Sequence, residues 1–244
     1  MFVISLTLAF LASTLGAALV FLSQALSEKM MSIFYGLAAG IMLFACFYSL
    51  LLPALDSGQT GLVLTFLAGV GLLFLIDHLI LHESALTHEV EGVTGPRSSP
   101  YRLVITMIMH NIPQGLALGI AFQAKETTVP IMLTIGLLMQ NLPEGAASAI
   151  PLVASIRSPA KVFMIAQLIS FLEIPAAVIG YHLAGLARSL LPYLFSFAAG
   201  IMLYTIIEEI IPDAWSHHHR PIATLAIFGG LSLMLLIYLF FEKH

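Results

Sequence analysis

The chain has 244 residues, of which 59% are hydrophobic and 9% are charged, with a formal net charge of -4 at pH 7. A soluble domain carries about 25% charged residues, so the Asp, Glu, Lys and Arg present cannot cover a water-facing surface. The balance excludes a soluble enzyme, and the absence of a basic stripe excludes a nucleic-acid-binding face. An all-α polytopic membrane protein is left, because irregular backbone cannot face lipid.

A spanning helix needs about 20 mainly apolar residues. Eight runs meet that need, at roughly 2–26, 33–55, 60–82, 101–122, 129–152, 160–185, 189–214 and 221–241. The first run precedes every Lys and Arg, the earliest being Lys29. It lacks the basic leader of a signal peptide and reads as a first membrane helix. The second holds the lone Cys46, so a disulfide within the chain is impossible; free Cys packs as a small hydrophobe. Between the third and fourth runs, residues 83–100 hold His88, Glu89, Glu91, Gly92, Gly95, Pro96, Arg97 and Pro100, a polar loop. The other runs follow closely, so residues 1–244 form a single transmembrane domain. Lys29, Arg97, Arg102, Arg157, Lys161 and Arg220 fall on one side, and Lys125, Arg188 and Lys243 on the other. By the positive-inside rule both termini lie outside the cytoplasm and the 83–100 loop lies within it.

Two repeats stand out. AAGIML occurs at 38–43, in the second run, and again at 198–203, in the seventh. Each copy precedes a proline near its span end. An odd number of crossings separates them, so the two copies cross in opposite directions. That is the signature of inverted repeats, spans 1–3 and 6–8 flanking spans 4 and 5 in a 3+2+3 arrangement. The second repeat is MHNIPQG at 109–115 against MQNLPEG at 139–145.

This doubled motif puts His110, Asn111 and Gln114 in span 4, and Gln140, Asn141 and Glu144 in span 5, near mid-depth. In each triplet the outer two residues are i and i+4 and share one helix face. Pro113 and Pro143 free the carbonyls four residues back, and Gly115 and Gly145 permit close helix approach. Imidazole, carboxylate and amide oxygens gathered at one depth suit a divalent cation. Span 6 adds Glu173. Ionisable groups inside a span are functional by default.

These residues resemble the paired motifs of the ZIP (Zrt-/Irt-like) metal transporters, and the GufA-like bacterial branch in particular. GLAAGIMLFACFYSLLLPA, GVGLLFLIDHLILH, ISFLEIPAA and FAAGIMLYTIIEEIIPDA resemble its second, third, sixth and seventh spans. The resemblance implies transport of divalent metal toward the cytoplasm, zinc foremost and Fe2+, Mn2+, Co2+ or Cd2+ after it, without ATP hydrolysis. It also implies a homodimer in the cell (inner or plasma) membrane. It implies a first metal position at His110, Gln114, Gln140 and Glu144, with Met42 lending its thioether. A second position takes Asn111, Asn141 and Glu173 and shares Glu144. Spans 1, 4, 5 and 6 would form a rigid half against which 2, 3, 7 and 8 move. Gln114 departs from the pattern, which has Glu there bridging both positions.

A polar trail extends from this centre. Ser49 and Asp56 resemble the family's entrance positions. Inward lie Asp77, His78 and His82 at the end of span 3, and Glu208, Glu209, Asp213, His217, His218 and His219 at the end of span 7. His82, His88, Glu89 and Glu91 resemble the family's metal-binding cytosolic loop. Two other readings stay open: a membrane metal sensor with little flux, and a proton-coupled carrier of organic solutes. The latter is weakened by the lack of an intramembrane Arg or Lys to pair with an organic anion.

Overall fold

The structure is a computed structural model, and it describes residues 1–22, 27–86, 100–216 and 219–242. Among these residues there is no strand. The helices are α1 (Phe2–Ala18), α2 (Glu28–Cys46), α3 (Leu52–Asp56), α4 (Leu62–Leu86), α5 (Pro100–Ala121), α6 (Thr128–Ile156), α7 (Pro159–Phe171), α8 (Glu173–Leu186), α9 (Leu191–Thr205), α10 (Ile211–Trp215) and α11 (Arg220–Glu242). Several join end to end, so the described residues make eight long rods. Six of these are long and apolar enough to cross a membrane. The remaining two, α5 and α6, carry the doubled motif.

Local chemistry explains the joints. Ser27 caps α2 by accepting from the Met30 amide, and Ser158 caps α7 by accepting from Lys161. The 157–158 turn begins with Arg157 in the left-handed region at φ 55°. Pro113 and Pro143 lie inside continuous helices. Pro175 acts differently: the sixth rod breaks at Leu172, which leaves Glu173 as the first residue of α8.

Rods two and seven each contain a π-helical turn, Phe47–Leu51 between α2 and α3 and Ile206–Ile210 between α9 and α10. Each follows a copy of AAGIML and precedes a proline, Pro53 or Pro212. Such turns add a residue and rotate the phase of everything after them, and they gather at functional sites.

The most extensive helix contacts are α2 with α11, α5 with α8, α4 with α9 and α1 with α6. All four pairs run parallel. Along α2 and α11, Gly36 meets Ala223 and Gly40 meets Ile227; along α5 and α8, Gly115 meets Glu173 and Gly119 meets Ala177. Parallel neighbours must be separated by an even number of crossings, which matches a chain that crosses back and forth. The closest approaches are backbone on backbone: a Cβ on Gly40 would fall on the Ile227 carbonyl, and one on Gly200 on the Phe66 carbonyl. Small residues at such crossings supply packing energy where no hydrophobic drive exists between helices. The chain is thus an all-α, multi-pass membrane protein with α5 and α6 side by side at its centre.

Candidate metal-binding centre

Every residue of the doubled motif's two triplets is buried, as are Glu173 and Met42. α5 and α6 bring His110 and Glu144 together, with Nδ1 at 3.5 Å from Oε1. The other ring nitrogen, Nε2, meets Glu209 Oε2 on the seventh rod. An imidazole held between two carboxylates from different helices is the hub of the site.

Glu209 was grouped by sequence with the outgoing trail; the structure puts it at the centre. The cause is the π turn Ile206–Ile210, whose additional residue turns Glu209 inward while Glu208 stays exposed. The EE pair was the visible signal, but nothing local in the sequence says which of two adjacent carboxylates faces in.

The amides are oriented by their nitrogens. Asn111 Nδ2 donates to the Met107 carbonyl at 2.7 Å. Asn141 Nδ2 donates to the Ala9 carbonyl and to Glu173 Oε2, each at 3.3 Å. Gln114 Nε2 points at Met42 Sδ, 3.9 Å away. The Asn111, Asn141 and Gln114 donors are thus engaged by protein. Gln114 Oε1, both amide atoms of Gln140, Glu144 Oε2 and Glu173 Oε1 are buried without a hydrogen-bond partner. Burying such atoms unpaired costs about 1–3 kcal/mol each, more for charged groups. Among these atoms four acceptors stand against one donor, Gln140 Nε2, a balance that suits a cation.

Charge points the same way. Glu144 and Glu173 are both buried here, Glu173 held by Asn141, and Glu209 adds a third carboxylate. Against them stands one imidazole, and no Lys or Arg occurs between Arg102 and Lys125 or between Lys125 and Arg157. Among the described residues, no group of three His, Cys, Asp or Glu closes a cage by itself. Amide oxygens would have to complete any ligand shell.

Of the outer trail, Ser49 is buried with an unpaired hydroxyl inside the first π turn, and Asp56 is exposed at the end of α3. Inward, Asp77 accepts from the Tyr204 phenol at 3.1 Å, tying α4 to α9. His78 is exposed and stacks on Phe74. Asp213 and His219 are half-buried. The side chain of His82, and His88, Glu89, Glu91, His217 and His218 altogether, lie outside the described residues. Sequence reasoning missed Tyr204, and it missed Tyr35, whose phenol donates to the Ala147 carbonyl at 3.2 Å and bridges α2 to α6.

A family model described as the ZIP zinc transporter matches residues 82–238. The chain belongs to the ZIP family. Among its relatives, this ZIP chain is 34% identical to the zinc transporter GufA of Myxococcus xanthus, over 93% of each protein. It is 33% identical to the zinc transporter ZupT of Streptococcus mutans, over 94% of this chain and 92% of that protein. It is 29% identical to the zinc transporter ZIPB of Bordetella bronchiseptica, over 93% of this chain and 77% of that protein.

Proposed function

We propose that this ZIP chain carries a divalent cation, zinc foremost, across the membrane toward the cytoplasm by alternating access through the buried centre between α5 and α6. One observation carries the reading: a buried imidazole, three carboxylates and two unpaired amide oxygens converge where no Lys or Arg balances them. His110, Glu144, Gln140 and Gln114 serve one face of the cation position, with Met42 at its edge. Asn111, Asn141 and Glu173 serve the other, and Glu209 meets the cation from the seventh rod. Mixed imidazole, carboxylate and amide ligands admit Fe2+, Mn2+, Co2+ or Cd2+ as well, since site affinity alone does not select one metal.

The two flanking sets of three rods are an inverted repeat. Support comes from the repeated AAGIML, the paired π turns, and contacts that exchange under the repeat: α2 with α11 against α9 with α4, and α1 with α6 against α8 with α5. The basic residues place both termini outside the cell membrane, and small-residue faces suit a homodimer. The whole chain works as one transmembrane domain.

The test is metal flux into proteoliposomes. The His110→Ala/Glu144→Ala protein is expected to lose uptake of Zn2+ while remaining folded. Unchanged flux would remove the assignment.

A further inference from the structure

A small cavity opens on the Asn111, Asn141 and Glu144 side of the centre, and its remaining polar wall is made of three serines that no motif marks: Ser13 on α1, Ser148 on α6 and Ser170 on α7. All three are buried. Glu144 lines it as well, and its Oε2 is buried without a hydrogen-bond partner. Ser148 follows Ala147, whose carbonyl accepts from the Tyr35 phenol and ties that wall to α2.

Met107 lines the cavity and also belongs to an apolar cluster with Leu152, Val153, Val162 and Ile169. The space has room for about one water, and it offers more than the two to four polar partners that a buried water needs.

We propose that the serine cavity is a water-binding station that keeps one water on the cation while protein ligands replace the rest of its hydration shell. This rests on the transport reading above. Its chemistry follows from the donor set. Ser13, Ser148 and Ser170 offer hydroxyls that can accept from the water or donate to it. Asn111, Asn141 and Glu144, which belong to the cation centre, line the same cavity and bring the water beside the cation. The serines thus position a ligand rather than act as ligands, and the cation travels with a coordination number above four.

Co2+ reports this directly, because four-coordinate Co2+ absorbs visible light far more strongly than five- or six-coordinate Co2+. The purified protein is titrated with Co2+ alone. The parent is expected to bind it with weak visible bands. The Ser13→Ala/Ser148→Ala/Ser170→Ala protein is expected to show stronger bands and about 10-fold weaker binding, the scale at which second-layer partners act on metal sites. Ser170→Ala alone, and Ser170→Val, which fills the cavity, give the same reading should the triple variant fold poorly. Bands and affinity equal to the parent's in Ser170→Val overturn the water station. No Co2+ binding by the parent overturns the transport reading instead.

Discussion

At the scale of single residues, His110 decides most. Both its nitrogens face carboxylates, Glu144 and Glu209, from two different helices. A cation that takes the imidazole must displace one of them, so Glu209 is the group that yields or joins. Ligands bind metal deprotonated, and an ordinary imidazole gains its proton near pH 6.5. The sign follows: lowering the pH fills the ligand positions with protons and weakens binding, and raising it restores the site. Initial Zn2+ uptake measured from pH 8 to pH 5 is expected to fall steadily. A rate that rises toward pH 5 would show that protonation of this cluster does not limit transport.

Gln114 is the second residue on which the site turns. Its amide nitrogen is committed to Met42, and its oxygen faces the interior unpaired. An amide oxygen brings no charge, so this position contributes less to holding a dication than a carboxylate would. Gln114→Glu is expected to tighten Zn2+ binding about tenfold or to raise the bound stoichiometry, as read by calorimetric titration. Equal affinity and stoichiometry would show that position 114 is not a ligand. His110, Gln114, Gln140, Glu144 and Glu173 were legible in sequence because polar groups are costly at span depth and recur with a fixed spacing. Ser13, Ser148 and Ser170 were not, since a serine is commonplace in a membrane helix and only the packing of α1, α6 and α7 brings the three together.

At the scale of elements, the informative features are the two π turns and the glycine crossings. Helix positions are visible in hydropathy, because a membrane helix needs an unbroken apolar run. The π turns are not, because an additional residue in a turn leaves no local pattern; only Pro53 and Pro212 hint at it. The crossings were half legible, since AAGIML shows a small-residue face without naming its partner. Gly40 lies against the Ile227 carbonyl and Gly200 against that of Phe66, so a side chain at either must push two backbones apart. Nothing lies within 4 Å of a Cβ on Gly71. Gly40→Val and Gly200→Val are therefore expected to cost about 1–3 kcal/mol or more by overpacking. Gly71→Ala is expected to be neutral or to stabilise by about 0.5–1 kcal/mol through helix propensity. Thermal unfolding in detergent ranks the three; a Gly40→Val protein as stable as the parent would mean that α2 and α11 do not cross there.

At the scale of the whole molecule, the proposed transport cycle groups the rods into two bodies. The extensive pairs α1 with α6 and α5 with α8 fall in one set; α2 with α11 and α4 with α9 fall in the other. Between the sets run lighter contacts, including α2 on α6 and α5 on α9, and the bridges His110 to Glu209, Gln114 to Met42 and Tyr35 to Ala147. Alternating access requires the sets to shift against each other, and every one of these bridges lies at the joint. Ala45 on α2 and Gly136 on α6 face each other across it, and a Cβ on Gly136 would stand 3.3 Å from the Ala45 Cβ, close to the spacing of about 3.8 Å that a disulfide prefers. In a Cys46→Ser background, which removes the lone native thiol, Ala45→Cys/Gly136→Cys is expected to crosslink on oxidation. Zn2+ flux should then stop, reductant should restore it, and equilibrium Zn2+ binding to the locked protein should persist. The same double-cysteine protein kept reduced is the control, and its flux should stay intact. Full flux through the protein locked at 45 and 136 would mean that the two sets need not move against each other, and that the cation passes through a fixed pore.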